Sequence, residues 1–206
     1  MESIRKLLFT RQVKGPSPAF TGIQLLYLIF LVGSEPFIGR KRLTQLLGLG
    51  EGSVRTMLSR LSRLGYAKST RSGIVLTDNG KQLHEKLTLI VKSLKKVDFE
   101  MPWEAAVNYG VLLKGVADNV STGVEERDEA VRHGALAAMI LAKLSDGLYM
   151  PKITNLSVER PEFANTVEAF FQPEVGDVII ITGAGTEHEA KYSALAAAFK
   201  LVFGKT

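Results

Sequence analysis

Between residues 53 and 64 the chain concentrates side chains suited to holding a polyanion. On a 3.6-residue period over Ser53–Leu64, Arg55, Thr56, Ser59 and Arg63 fall on one face, with Arg60 beside them. Guanidinium forks pair with phosphates and base edges, and short hydroxyls donate to either. That stretch of polar face holds no acid. Val54, Met57, Leu58, Leu61 and Leu64 form the opposite, apolar face and belong in a core. For an isolated helix, a basic polar face that is merely solvated explains the pattern as well as nucleic-acid binding does.

Two further clusters lie in the second half. Gly183-Ala184-Gly185-Thr186 falls between an apolar strand and a helix. Small residues there admit a ligand to the backbone, and free N–H groups at a helix start bind anions. Gly183, Gly185, Thr186 and His188 are therefore ligand-binding candidates. Glu187 and Glu189 already complement the helix dipole, which argues against a phosphate, and a plain strand-to-helix turn is the simpler account. His188 stands where a dinucleotide fingerprint needs its third glycine, and no P-loop Gly-Lys-Ser/Thr follows. The second cluster is Asp118, Glu125, Glu126, Asp128 and Glu129, with Arg127 and Arg132 among them. A hard metal needs several such oxygens to converge. Around a helix they diverge, and Asp128 with Arg132 reads as a surface pair. His133 and His188 have no serine or acid partner in a motif, and neither a zinc-protease nor a nucleophile-elbow motif occurs. The expectation is a protein that is not an enzyme and carries no cofactor or metal.

The chain has 206 residues and no cysteine, which excludes disulfides, thiolate metal sites and a cysteine nucleophile. Its charge is unevenly spread. Residues 1–99 hold 17 Lys and Arg against 6 Asp and Glu, and residues 100–206 hold 9 against 15, so +11 and −6 make up the net +5. A basic front half suits a polyanionic partner and an acidic back half does not. Two domains are expected, 1–99 and 100–206. The apolar run Leu25–Val32 is too short to cross a bilayer, and no targeting signal is visible, so a cytoplasmic protein without a membrane partner is expected.

Several elements must position the basic helix. Met1–Val13 is a candidate short helix, a partner contact or a loose arm, broken by Lys14–Pro18. Ala19–Val32 is a helix apolar nearly all round, so it needs cover on more than one side: from Leu43, Leu58 and Leu61, and from a later helix or a second subunit. Arg40–Leu47 is a short helix with Leu43, Leu46 and Leu47 inward. Arg40, Lys41 and Arg42 at its start oppose the macrodipole, a cost that phosphate contacts would offset; a solvated face is the alternative. Gly48–Gly52 turns the chain, Ser53 caps the basic helix, and Gly65 ends it. Tyr66–Thr70 and Ile74–Thr77 read as a hairpin around Arg71-Ser72-Gly73. Asn79–Val97 reads as one long helix, with Leu83, Leu87, Ile90, Val91 and Leu94 as its apolar stripe and His84 exposed. It would serve as a dimer seam or an interdomain strut.

Helix, turn, helix and a hairpin with a basic tip, closed by Gly73-Ile74-Val75-Leu76-Thr77-Asp78-Asn79-Gly80-Lys81, resembles the winged helix-turn-helix of transcription regulators. The resemblance covers roughly the first 95 residues. It implies that the Ser53–Leu64 helix enters the major groove of double-stranded DNA. Arg55, Thr56, Ser59, Arg60 and Arg63 would then face bases, Ser53 at the helix start would belong to the same DNA-binding set, and Arg40, Lys41, Arg42, Lys68 and Arg71 would contact phosphates. Ser72 would join Lys68 and Arg71 at the wing tip, and the protein would act as a homodimer.

The second half alternates strand-like and helical runs. Asn108–Ala117 reads as a strand, Gly123–Gly134 as a helix, and Leu136–Leu144 as a buried strand more readily than a helix. Asn155–Glu159 reads as a short strand, Pro161–Phe171 as a helix, Asp177–Thr182 as a strand and Glu187–Phe203 as a helix. Trp103, near the junction of the halves, is a packing residue. The fold class expected is α+β: a winged helix followed by a small α/β sandwich domain. The layout is similar to uncharacterised archaeal winged-helix regulators, from which no function carries over. The reading is a DNA-binding transcriptional regulator whose second domain senses a small-molecule effector or mediates dimerisation. The alternatives are a winged helix that docks onto proteins, and a small α/β enzyme with a basic targeting domain.

Overall fold

The computed structural model describes Leu7 and residues 20–204. The expectations for the arm, residues 1–18, lie outside the described residues apart from Leu7. The chain divides into two compact units, Met1–Thr88 and Leu89–Thr206. The first has helices and a two-stranded sheet, and the second is built on a six-stranded sheet, so the fold class is α+β.

In the first unit, α1 (Gly22–Gly33), α2 (Arg40–Leu47) and α3 (Glu51–Arg63) precede the hairpin of β1 (Ala67–Ser69) and β2 (Ile74–Leu76), and α4 (Asp78–Thr88) follows. α1 starts at Thr21 through a reciprocal box: the Gln24 amide donates to Thr21 Oγ1 at 3.3 Å, and the Thr21 amide donates to Gln24 Oε1 at 2.8 Å. Leu25, Leu26, Leu28 and Ile29 are fully buried. Their cover comes from α2, β2 and α4, so the all-round apolar helix is enclosed within its own unit.

The expected long helix is corrected. α4 ends at Thr88, and Val91–Val97 is strand β3 of the second unit. The spacing of Leu83, Leu87, Ile90, Val91 and Leu94 fits a helix. The backbone of 91–97 instead pairs with β4 (Val107–Leu113), from Val91 opposite Leu113 to Val97 opposite Asn108, with an irregularity between Val91 and Ser93. Lys95 lies over the Phe170 and Phe171 rings at 4.2 and 5.2 Å from their centroids. The boundary therefore falls at Thr88 and not at residue 99. His84 is not an exposed histidine either. It packs on Phe30, ring centroids 5.6 Å apart, with Nε2 buried and without a partner among the described residues. Burial holds its pKa below the ordinary 6.5, and Glu85 opposes that shift.

The sheet of the second unit runs β3-β4-β8-β5-β6-β7, with β5 (Ala137–Leu144), β6 (Gly147–Met150), β7 (Thr154–Asn155) and β8 (Val178–Ala184), every pair antiparallel. Successive side chains alternate between faces. Ile179 and Ile181 join Leu112, Leu141 and Phe171 of α7 (Pro161–Phe171) in one core. Thr182, on the other face, donates to the Ala190 carbonyl of α8 (Glu187–Phe203) at 2.7 Å. α5 (Val124–Arg132) packs beside α8. The sandwich is thus helix, sheet, helix, and β8 is buried throughout because both its faces are covered. Asn155–Glu159 is corrected from a strand. Only Thr154–Asn155 pairs with β6, and Asn155 Oδ1 accepts the Ser157 amide at 2.9 Å to cap the single turn α6 (Leu156–Glu159). The long expected strand from Asn108 ends at Leu113, where buried Asp177 binds the Gly115 and Glu174 amides at 2.9 and 3.0 Å. Among the described residues no helix is long and apolar enough to cross a membrane.

Candidate nucleic-acid interface

Two local events place the basic residues of the first unit. Ile38 bridges to Ile74 through both amides, at 3.2 and 2.9 Å. That bond ties the entry to α2 against the hairpin and brings Arg40, two residues on, beside the wing. The burial of Val54, Met57, Leu58 and Leu61 fixes the rotation of α3, which turns its opposite face outward.

Between α3 and β1 the structure leaves a cavity of about 410 Å³. Arg40, Arg55, Ser59, Arg63 and Lys68 line it, with Leu58 and Ile74 also in the wall. Five of the predicted residues therefore converge. Arg40, Arg63 and Lys68 make no ion pair among the described residues, so their charge is available to a ligand. Residues 1–88 hold 14 Lys and Arg against 5 Asp and Glu, so the background field is positive as well.

The other predicted residues lie elsewhere on the unit. α3 begins on Gly50 rather than Ser53, so Ser53 is not the cap and Glu51 belongs to the helix. The polar face therefore carries one acid: Glu51 stands 3.5 Å from Arg55, an exposed pair four residues apart that competing phosphates can displace. Thr56 turns its hydroxyl back to the Gly52 carbonyl at 3.0 Å. Arg60 is half-buried, and Arg42 pairs with Glu35 at 2.7 Å. Lys41, Arg71 and Ser72 are exposed outside the cavity, the last two on a tip closed by Thr70 and Gly73. Ser62 and Ser69, which also line the cavity, were missed by sequence reasoning. Ser62 follows Arg55 and Ser59 at helical spacing and was legible; Ser69 depends on the hairpin register.

The ligand-binding candidates of the second unit do not form an open site. Gly183 lies inside β8, and its missing Cβ is filled by the Trp103 indole, Asn108 and Ala105. Trp103 Nε1 donates to Asn108 Oδ1 at 2.8 Å, and the partly buried indole packs against the core of this unit. At the start of α8, Thr186 Oγ1 accepts the Glu189 amide at 3.3 Å and donates to Glu189 Oε2 at 2.9 Å. The helix start is thus capped by the chain's own Thr186 hydroxyl, with the Glu189 carboxylate beside it. Gly185 is exposed, and His188 is stacked on Tyr192. The acids near α5 that form ion pairs do so with separate partners, and Glu125 reaches Lys200 of α8 at 3.6 Å. Arg132 binds Glu129 at 2.8 Å rather than Asp128, which binds Arg127 at 3.0 Å.

Residues 24–82 match the family described as the PH0730-like N-terminal domain, and residues 105–201 match a domain of unknown function, DUF4443. No curated protein matches the chain. Among solved structures, the hypothetical protein PH0730 from Pyrococcus horikoshii OT3 is 32% identical, with a TM-score of 0.71 over 90% of this chain and 95% of that one.

Proposed function

This chain belongs to the PH0730-like family, and on that premise we propose that it is a DNA-binding transcriptional regulator, not an enzyme. The observation that carries the reading is the convergence of Arg40, Arg55, Arg63 and Lys68, with Ser59, on one cavity between α3 and the wing. In that geometry α3 lies in the major groove, with Arg55, Ser59 and Arg63 toward base edges. Arg40 and Lys68, at the two flanks, meet the phosphate backbones, and Arg71 extends the contact through the wing tip. The protein acts as a homodimer on a two-fold site. α4 is too short to be the long seam expected from sequence, so the second unit supplies the contact between copies, an effector site, or both.

Selection from a random duplex pool by the full chain tests whether the face reads sequence. The expected product is one enriched motif in two half-sites about 10–10.5 base pairs apart, or a multiple of that spacing. A pool that stays random through repeated rounds contradicts base reading and favours a winged helix that docks onto proteins.

A further inference from the structure

The second unit holds a cavity of about 560 Å³ on the α7 side of its sheet, within the range of small-molecule sites. Its floor is Met101, Met139, Met150, Leu156 and Phe163. Met101, Met139 and Leu156 are buried and belong to the main core cluster. Three of the chain's five methionines therefore line one cavity. Thioethers are polarisable and unbranched, and they adapt to flat or bulky apolar ligands.

The charged side chains lining the cavity have a definite sign. Glu100, Glu159 and Glu162 contribute three carboxylates against the single guanidinium of Arg160. None of the four makes an ion pair among the described residues, so the wall carries two uncompensated negative charges. An apolar floor with such a wall selects against anions and favours a cation carrying an apolar body. Phe163 adds an aromatic face that a cation can approach.

We propose that this cavity is a binding site for amphiphilic organic cations and is the effector site of the protein. Cation binding stands on the cavity alone. Only the effector role rests on the reading of the first unit as a DNA-binding module.

Calorimetric titration of the full chain with tetraphenylphosphonium tests the binding, with tetraphenylborate as a probe of nearly the same shape and opposite charge. The cation is expected to bind at least about tenfold more tightly than the anion. The double variant Glu159→Gln/Glu162→Gln is expected to reduce that preference several-fold with an unchanged melting temperature, since both side chains are exposed. Met150→Trp, which fills the cavity from its floor at a half-buried position, is expected to weaken both probes. Equal affinity for the two ions, absence of binding, or cation binding that survives all these substitutions would overturn the site. Cation binding that leaves duplex affinity unchanged, in a protein that binds duplex, would overturn the effector role alone.

Discussion

The double variant Arg55→Gln/Arg63→Gln is expected to lose at least about 25-fold in affinity for duplex DNA. Each arginine that reads a base or phosphate in this geometry contributes about 1–3 kcal/mol, or roughly 5- to 150-fold. Both side chains line the cavity between α3 and the wing, and both are exposed. Glutamine therefore removes charge without opening the core formed by Val54, Met57, Leu58 and Leu61. Arg55 also gives up its exposed pair with Glu51, whose loss is small. The melting temperature should stay unchanged, which separates lost contact from lost fold. Fluorescence anisotropy on a labelled duplex measures the effect. Affinity that stays within about twofold of the parent would mean that this face of α3 does not meet DNA.

The largest expected effect on stability comes from Gly80→Ala. A Cβ at Gly80 would overlap the carbonyl oxygen of Tyr66 and press on the Leu76 side chain. Room is short because this corner is tied three ways. The Thr77 hydroxyl donates to the Gly65 carbonyl, the Thr77 amide donates to the Tyr66 carbonyl at 3.0 Å, and the Gly80 amide donates to Thr77 Oγ1 at 3.2 Å. The Tyr66 carbonyl cannot retreat without straining its bond from the Thr77 amide, and Thr77 is itself held by the other two. Forcing a methyl group into a packed site of this kind costs about 1–3 kcal/mol. For a unit of this size that corresponds to a fall in melting temperature of roughly 5–20 °C. The same shift would move the wing relative to α3, so duplex affinity should fall as well. An unchanged melting temperature by scanning calorimetry would show that the corner yields more easily than its bonds imply.

The tied corner also explains how much of the first unit was legible. Leu76-Thr77-Asp78-Asn79-Gly80 reads as the end of a wing because its residues act locally, as strand end, hydroxyl tie, helix entry and point of close approach. The helices were legible because their buried faces recur at 3.6 residues. Ser53 misled because a serine before an apolar run resembles a cap, while α3 had already begun on Gly50. Beyond Thr88 the reading failed for a tertiary reason. The apolar residues of 83–94 satisfy a helical stripe, yet those from Val91 onward take β4 as their partner, and no local signal announces that pairing. Gly183 misled similarly. A glycine beside a helix start resembles a ligand loop, but here it makes room for Trp103, far earlier in the chain. The methionine cavity was invisible because Met101, Met139, Met150 and Phe163 meet only once the sheet and α7 have formed. Arg40 was legible as a basic residue at the start of α2, but its place beside the wing depends on the Ile38–Ile74 bridge.

The most direct test of DNA binding by this surface is the salt dependence of duplex affinity in the full chain. Each phosphate neutralised by a lysine or arginine releases counterions, giving a slope of about −0.9 per contact in a plot of log affinity against log salt. Arg40, Lys68 and Arg71, with or without Lys41, make three or four phosphate contacts in each protomer, so a dimer predicts a slope of roughly −5 to −7. A slope near zero, or no duplex retained at about 50 mM salt, would contradict the assignment of this surface to DNA.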